Sequence, residues 1–246
     1  MKKPRIVLFD LETSLIKVTT FSLYNDHIPH DAIEQDWFIL SWAWKELDSK
    51  TTNAASVLDF KRSSLSDDKG LVTAIRKELE TVDVIIGHNA QRFDLRKLNA
   101  RLIYHGLAPL PNIQIVDTLK EVKKVANMTS NRLDYLSKFL GRKGKTHTSP
   151  GLWPKCMAGD KKAMAEMVKY NKQDVIELEA VYKKLLPYMK THPHIGALTG
   201  AGRDSCNKCG STSFEASNKI RYSATGIAKC QKQCKKCHSY STFPIK

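Results

Sequence analysis

The sequence predicts an α/β fold of buried strands and amphipathic helices, followed by a small cysteine-rich module. Three observations carry this. Ile6-Val7-Leu8-Phe9 is a short apolar run of the kind found in a strand covered on both faces, and Val82-Asp83-Val84-Ile85-Ile86-Gly87 is a second. A helical apolar stripe extends from about Lys161 to Tyr188 through Met164, Met167, Val168, Val175, Leu178, Tyr182 and Leu185. Two Cys-x-x-Cys pairs, Cys206/Cys209 and Cys234/Cys237, follow it.

The 246 residues, 41% of them hydrophobic, leave room for one sizeable core and a small appendage. A net charge of +15 and a pI near 9.5 point to polyanionic partners, nucleic acid first and an anionic membrane surface as the rival. No apolar run approaches the roughly 20 residues that cross a bilayer, and the one after Met1-Lys2-Lys3-Pro4 is too short for a signal peptide. A cytoplasmic protein with no membrane partner is the expectation. In a reducing compartment, five cysteines between Cys206 and Cys237 speak for zinc over disulfides.

The first strand, Arg5 to Thr13, sets the chemistry. Alternation along it puts Asp10 and Glu12 on one side with Leu11 between them. Two like charges at the end of a buried strand are costly unless a cation lies between them, which points to a hard divalent metal; a pair of solvated acids is the plain alternative. Lys17–Tyr24 reads as a second strand, and Asn25–Asp36, with His27 and His30, as an exposed insertion or short helix. Trp37–Trp44 and Ala54–Phe60 read as further strands, antiparallel neighbours joined by short turns.

Gly70–Thr81 has helical spacing, and the strand Val82–Gly87 leads into His88-Asn89-Ala90-Gln91-Arg92-Phe93-Asp94. The helix after it buries Leu95, Leu98, Leu102 and Ile103, and Asp94 at its start also suits an N-cap. Asn112–Val116 is a strand ending at Asp117-Thr118, and Asn131–Leu140 a helix stopped by Gly141. Arg142–Asp160 reads as a basic loop whose lysines, His147 and exposed Trp153 suit a nucleic-acid strand as well as a plain connector. On the long helix Asp174 lies at the edge of the apolar stripe, with Tyr170 one turn above it on the same face. Broken by Pro193 and three glycines, residues 189–203 read as a linker between a domain at 1–188 and a module at 204–246.

Taken in order, Phe9-Asp10-Leu11-Glu12-Thr13, His88-Asn89-x-x-x-Phe93-Asp94 and Tyr170-x-x-x-Asp174 resemble the three exonuclease motifs of the DEDD superfamily. Within it the chain is similar to the YprB-like group, related to the exonuclease domain of family-B polymerases. The resemblance spans about Lys3 to Tyr188. Where the histidine branch has its His, this chain has Lys169; Tyr170 fits the tyrosine (DEDDy) branch.

The resemblance implies a ribonuclease H-like mixed five-stranded sheet with the first strand central and helices on both faces. It implies that Asp10, Glu12, Asp94 and Asp174 hold two Mg²⁺ or Mn²⁺ ions about 3.5–4 Å apart, one activating water and one stabilising the leaving 3′-oxygen. Tyr170 would orient or help deprotonate the water, and the product would be a nucleoside 5′-monophosphate. His88, Asn89 and Thr13 would serve the substrate end of the site and Phe93 would pack. Leu11 would wedge against the terminal base, a core role being the alternative. Substrate is then a nucleic-acid 3′ end, single-stranded and DNA by preference. A proofreading role would need a polymerase or other replication or repair partner. The alternatives are a non-catalytic nucleic-acid-binding module and a structure-specific endonuclease on the same fold.

The paired Cys-x-x-Cys knuckles around a Ser-, Thr-, Tyr- and Phe-containing stretch resemble a zinc ribbon with one structural Zn²⁺. Cys206, Cys209, Cys234 and Cys237 are its expected ligands, with Cys230–Cys234 as a rival pairing. Too small to fold on apolar burial alone, the module draws folding energy from its metal. Its lysines suit a nucleic-acid backbone; a protein-docking appendage is the other reading.

Overall fold

β1 (Ile6–Thr13) occupies the middle of the main sheet because it has apolar residues for both of its faces. Val7, Phe9 and Leu11 enter one core layer, Ile6 and Leu8 the other. This is a computed structural model, which describes residues 3–22, 24, 27–142, 144, 148–216 and 219–245. A two-stranded hairpin of β2 (Lys17–Val18) and β3 (Ile33–Gln35) precedes β4 (Ile39–Glu46) and β5 (Asn53–Ser56). There follow α1 (Lys69–Leu79), β6 (Val84–Gly87), α2 (Asp94–Tyr104), β7 (Gln114–Asp117) and α3 (Thr118–Val125). The helices α4 (Leu133–Phe139), α5 (Leu152–Met157), α6 (Lys161–Leu185) and α7 (Ile195–Leu198) lead to β8 (Lys219–Tyr222), β9 (Ala228–Gln233) and β10 (Tyr240–Pro244).

The main sheet has the order β5-β4-β1-β6-β7. Its β5, β4 and β1 are antiparallel neighbours, while β6 and β7 run parallel to β1. Parallel pairing needs a crossover, which α2 supplies between β6 and β7. One core layer packs α1, α2, α5 and the start of α6 on the sheet; the other packs α3, α4, the later turns of α6 and α7. The result is a ribonuclease H-like mixed five-stranded sheet with helices on both faces. Buried Asp68 pins the layer of α1 and α2 to the sheet, bonding the Arg101 guanidinium at 2.6 Å and the Ile39 amide at 2.8 Å.

Several local expectations change. Of the strand expected over Lys17–Tyr24 only Lys17–Val18 forms, and it pairs with β3 outside the main sheet; Leu23, Asn25 and Asp26 lie outside the described residues. The strand expected to Phe60 stops at Ser56, where Asp59 accepts the Ser56 amide at 2.7 Å and turns the chain into a 3-10 helix. Ile103 is 79% exposed, since it falls at the outer edge of the α2 stripe that Leu95, Leu98 and Leu102 bury. The loop expected over Arg142–Asp160 contains α5, which buries Leu152, Cys156 and Met157; Lys143, Lys145 and His147 lie outside the described residues. Residues 189–203, expected as a linker, are packed: Met189 and Ile195 belong to the second core cluster and α7 forms there.

Candidate active site and cysteine cluster

The carboxylates of β1 emerge where the sheet loses a strand. β6 pairs with β1 as far as Leu8↔Ile86, whereas β1 continues to Thr13 beside β4, with a bulge between Glu12 and Thr13. Beyond Gly87 the chain folds back on itself: a Cβ there would lie 2.3 Å from the Ala90 Cβ, so only glycine fits. This opening next to Asp10 is the kind of switch point at which α/β sheets bind ligands.

Alternation puts Asp10 and Glu12 on the face that α6 crosses, and α6 delivers Asp174, 1% exposed, against them. One oxygen from each of Asp10, Glu12 and Asp174 falls within 4.8 Å of the other two. Such an oxygen set suits a hard divalent cation, so these residues fit the metal the fold implies. Asp94 is not in that trio. It is the first residue of α2, with Phe93 in the N-cap place, and its buried carboxylate accepts the Leu11 amide at 3.0 Å. Burial, opposed by that amide and reinforced by Asp117, raises the Asp94 carboxyl to about 7. Its carboxyl is thus tied to β1 at Leu11.

Asn171, which the sequence reading passed over, completes this geometry. Wholly buried, it donates from Nδ2 to the Asp10 carboxylate at 2.6 Å and to the Asp10 carbonyl at 3.3 Å, and its Oδ1 accepts the Ser41 hydroxyl at 3.2 Å. Its signal was the position beside Tyr170, three residues before Asp174 and so on the same helix face.

The motif loop after β6 is held by the next strand. Asp117 caps α3 through the amides of Leu119 and Lys120, and its oxygens also accept the amides of Asn89 (3.0 Å) and Gln91 (3.3 Å). His88 bonds the Thr118 hydroxyl at 2.9 Å and the Asn131 carbonyl at 2.8 Å. Asn89 has φ of +67°, a left-handed conformation that asparagine tolerates better than most residues.

A cleft of about 810 Å³ opens over these groups, lined by Asp10, His88, Asn89 and Tyr170, with Lys123 and Arg132 among its cations. Tyr170 is half-buried in that wall, edge-on to Trp153 at 6.2 Å. Trp153, expected exposed on a loop, is half-buried in α5, because Leu152 and Cys156 draw that helix onto the core. Leu11 is 3% exposed and its side chain belongs to the core cluster, while its amide bonds the Asp94 carboxylate. Phe93, expected to pack, is 40% exposed with the Lys97 ammonium 5.8 Å from its ring. Thr13 is partly buried at the end of β1, past the bulge.

In the C-terminal module, Cys206, Cys209, Cys234 and Cys237 bring their sulfurs together, all within 4.8 Å of one another. The Cys206–Cys237 sulfurs are 3.5 Å apart and the Cys209–Cys234 sulfurs 3.6 Å. Cys230 is on β9, opposite Phe243 and Ile220, and does not join the cluster. Hydrogen bonds from Cys209 and Cys237 lower the Cys206 thiol, and the bond to Cys206 raises Cys209, as expected where crowded sulfurs compete for protons. Four soft sulfur donors with Cys206 and Cys234 fully buried fit a tetrahedral structural zinc.

Sheet order, carboxylate trio and cleft together define a ribonuclease H-like protein. Residues 33–186 match the family model described as RNase_H superfamily, and the chain belongs to that superfamily. The matched span contains Asp94, Tyr170 and Asp174 and starts after β1. Among solved structures the chain is similar to the family B DNA polymerase of the hyperthermophilic archaeon Pyrobaculum calidifontis, with a TM-score of 0.55 and 18% identity over 75% of this chain. That match takes in 25% of the polymerase, so this chain spans about a quarter of its length. No match is found among curated proteins. No helix among the described residues is long and apolar enough to cross a membrane.

Proposed function

We propose that the protein is a metal-dependent 3′→5′ exonuclease of the tyrosine DEDD branch, similar to the YprB-like group, acting on nucleic-acid 3′ ends with DNA preferred. The observation that carries this is the convergence of Asp10, Glu12 and Asp174 beside a cleft that Asp10 and Tyr170 line. Asp10, Glu12, Asp94 and Asp174 would hold a pair of Mg²⁺ or Mn²⁺ ions. When bound, such ions polarise the scissile phosphate and stabilise the charge on the leaving 3′-oxygen.

The chain's own groups do the positioning. Asn171 fixes the Asp10 carboxylate in one rotamer, and the Leu11 amide fixes Asp94. Tyr170 would orient the attacking water through a hydrogen bond at its hydroxyl. His88 and Asn89, on the loop that Asp117 holds, face the cleft where the terminal nucleotide would enter. Lys123 and Arg132 supply positive charge for the phosphates behind it. A zinc-loaded C-terminal module at 204–246 is read as a basic accessory to the domain at 1–188.

Digestion of 3′-labelled single- and double-stranded DNA and RNA, with Mg²⁺, Mn²⁺ or chelator, tests the reading. Mononucleotide release from the 3′ end is expected with either metal and none with chelator. Asp10→Ala should abolish release while keeping nucleic-acid binding. Cutting of a covalently closed circle would overturn exonuclease action in favour of an endonuclease, and binding without any cutting would leave a binding module.

A further inference from the structure

A second groove, of about 1070 Å³, lies where the start of β1 and the end of α6 meet the cysteine module. It shares no lining residue with the cleft that holds Asp10. Ile6, Leu47, Leu186 and Ile195 make part of its lining apolar, and two exposed tyrosines line it as well: Tyr188 is 67% exposed and Tyr240 58%. Exposed aromatic rings lining an apolar groove can serve as stacking platforms for a planar partner.

The charge around the groove is one-sided. Its two acids are already neutralised, Glu46 by Arg5 at 2.6 Å and Asp48 by Lys183 at 2.7 Å. Lys184 and Lys236 also line it, exposed and outside the contact ion pairs of the described residues, Lys236 acting on Asp48 only at longer range. Flat rings beside exposed ammonium groups match a chain whose bases stack and whose phosphates are anionic. An acidic protein segment would answer the lysines but not the pair of solvent-facing rings.

We infer that this groove is a second binding site for single-stranded nucleic acid, with bases stacked on Tyr188 and Tyr240 and phosphates held by Lys184 and Lys236. It rests on the exonuclease reading only for its purpose there, which is to grip the strand away from the end being digested. Ile6 in its wall and Asp10 are four residues apart on β1, about 13 Å along the strand, so one oligonucleotide of moderate length can occupy both sites.

The test uses the full zinc-loaded chain without Mg²⁺ or Mn²⁺, and fluorescein-labelled oligothymidylate of 20 nucleotides followed by anisotropy. Tyr188→Ala with Tyr240→Ala should weaken binding by roughly tenfold or more. Lys184→Gln with Lys236→Gln should reduce the slope of log affinity against log salt by about 1.4. Circular dichroism and zinc content confirm that both variants are folded. Wild-type affinity and salt slope in both folded variants would overturn the inference, even in a protein that digests 3′ ends normally. Losses in both would uphold it even in a protein that digests nothing. If the variants bind the oligonucleotide normally but lose affinity for a glutamate–tyrosine copolymer, the groove takes acidic protein segments and the inference falls.

Discussion

Asn171 of α6 holds Asp10 of β1 at two points, carboxylate and carbonyl, across 161 positions of sequence. The same bonds dock the helix that brings Asp174 onto the strand that brings Asp10, so one amide sets the spacing of the carboxylate trio. Removing it should act on the metal before it acts on the fold. Asn171→Ala is expected to weaken Mn²⁺ binding, measured by calorimetry, by about 10- to 100-fold. Asn171→Asp would set a fourth negative charge against Asp10, and a fall in Mn²⁺ affinity no larger than in other α6 variants would refute this positioning role.

Asp94 links stability to pH. Its carboxyl titrates near 7 in the folded chain, chiefly through burial, against an ordinary value of 3.8. Between those values the folded state binds the extra proton, so rising pH removes stability from this group until the proton is lost. The full penalty, on the order of 4 kcal/mol, is present above about pH 7 and absent near pH 4. Without divalent metal, Asp94→Asn should raise the urea midpoint near pH 8 and leave it almost unchanged near pH 4. The same substitution should abolish nucleotide release.

Asp117 serves two elements with one side chain, the loop of His88 and Asn89 and the first turn of α3. Asp117→Ala removes a helix cap and strands buried amides, so a loss of about 2–4 kcal/mol in urea unfolding is expected. Catalysis should fall as well, because the loop lines the cleft. Asp117→Asn keeps one acceptor oxygen for the Asn89, Leu119 and Lys120 amides but turns a donor toward Gln91, so it should recover part of the stability.

The cysteines should separate by reactivity. Burial pushes the Cys156 thiol up to about 11, and the side chain is only 2% exposed, so a thiol reagent near pH 8 should not reach it in the folded protein. Chelation of the zinc-loaded protein should release four further reactive thiols together with a fall in melting temperature. Thiol counting before chelation, after chelation and in denaturant checks all three steps.

Much of the sheet was legible because β1, β4 and β6 are dense in apolar residues, and Asp10, Glu12 and Asp174 could be placed on faces by period alone. The pattern failed where tertiary contacts decide. Leu11 takes the core place that was its alternative reading, while Phe93, expected to pack, is exposed, since period says which side a residue takes but not whether a helix covers it there. Helix α5 and the packed stretch around Ile195 were hidden by prolines and glycines that usually mark loops. The Asn171 bond could not be read either, because a polar residue inside an apolar stripe gives no sign of its partner.

The alternation of β1 has a further meaning for how the protein is made. Slipping this strand by one position would turn two acids into the layer of Val7, Phe9 and Leu11 and carry Phe9 and Leu11 onto the face of the carboxylate cluster. A misaligned molecule would therefore be inactive and sticky at once, a product that cellular quality control can detect by its surface. Proofreading of the fold and assembly of the chemistry are the same event in this chain.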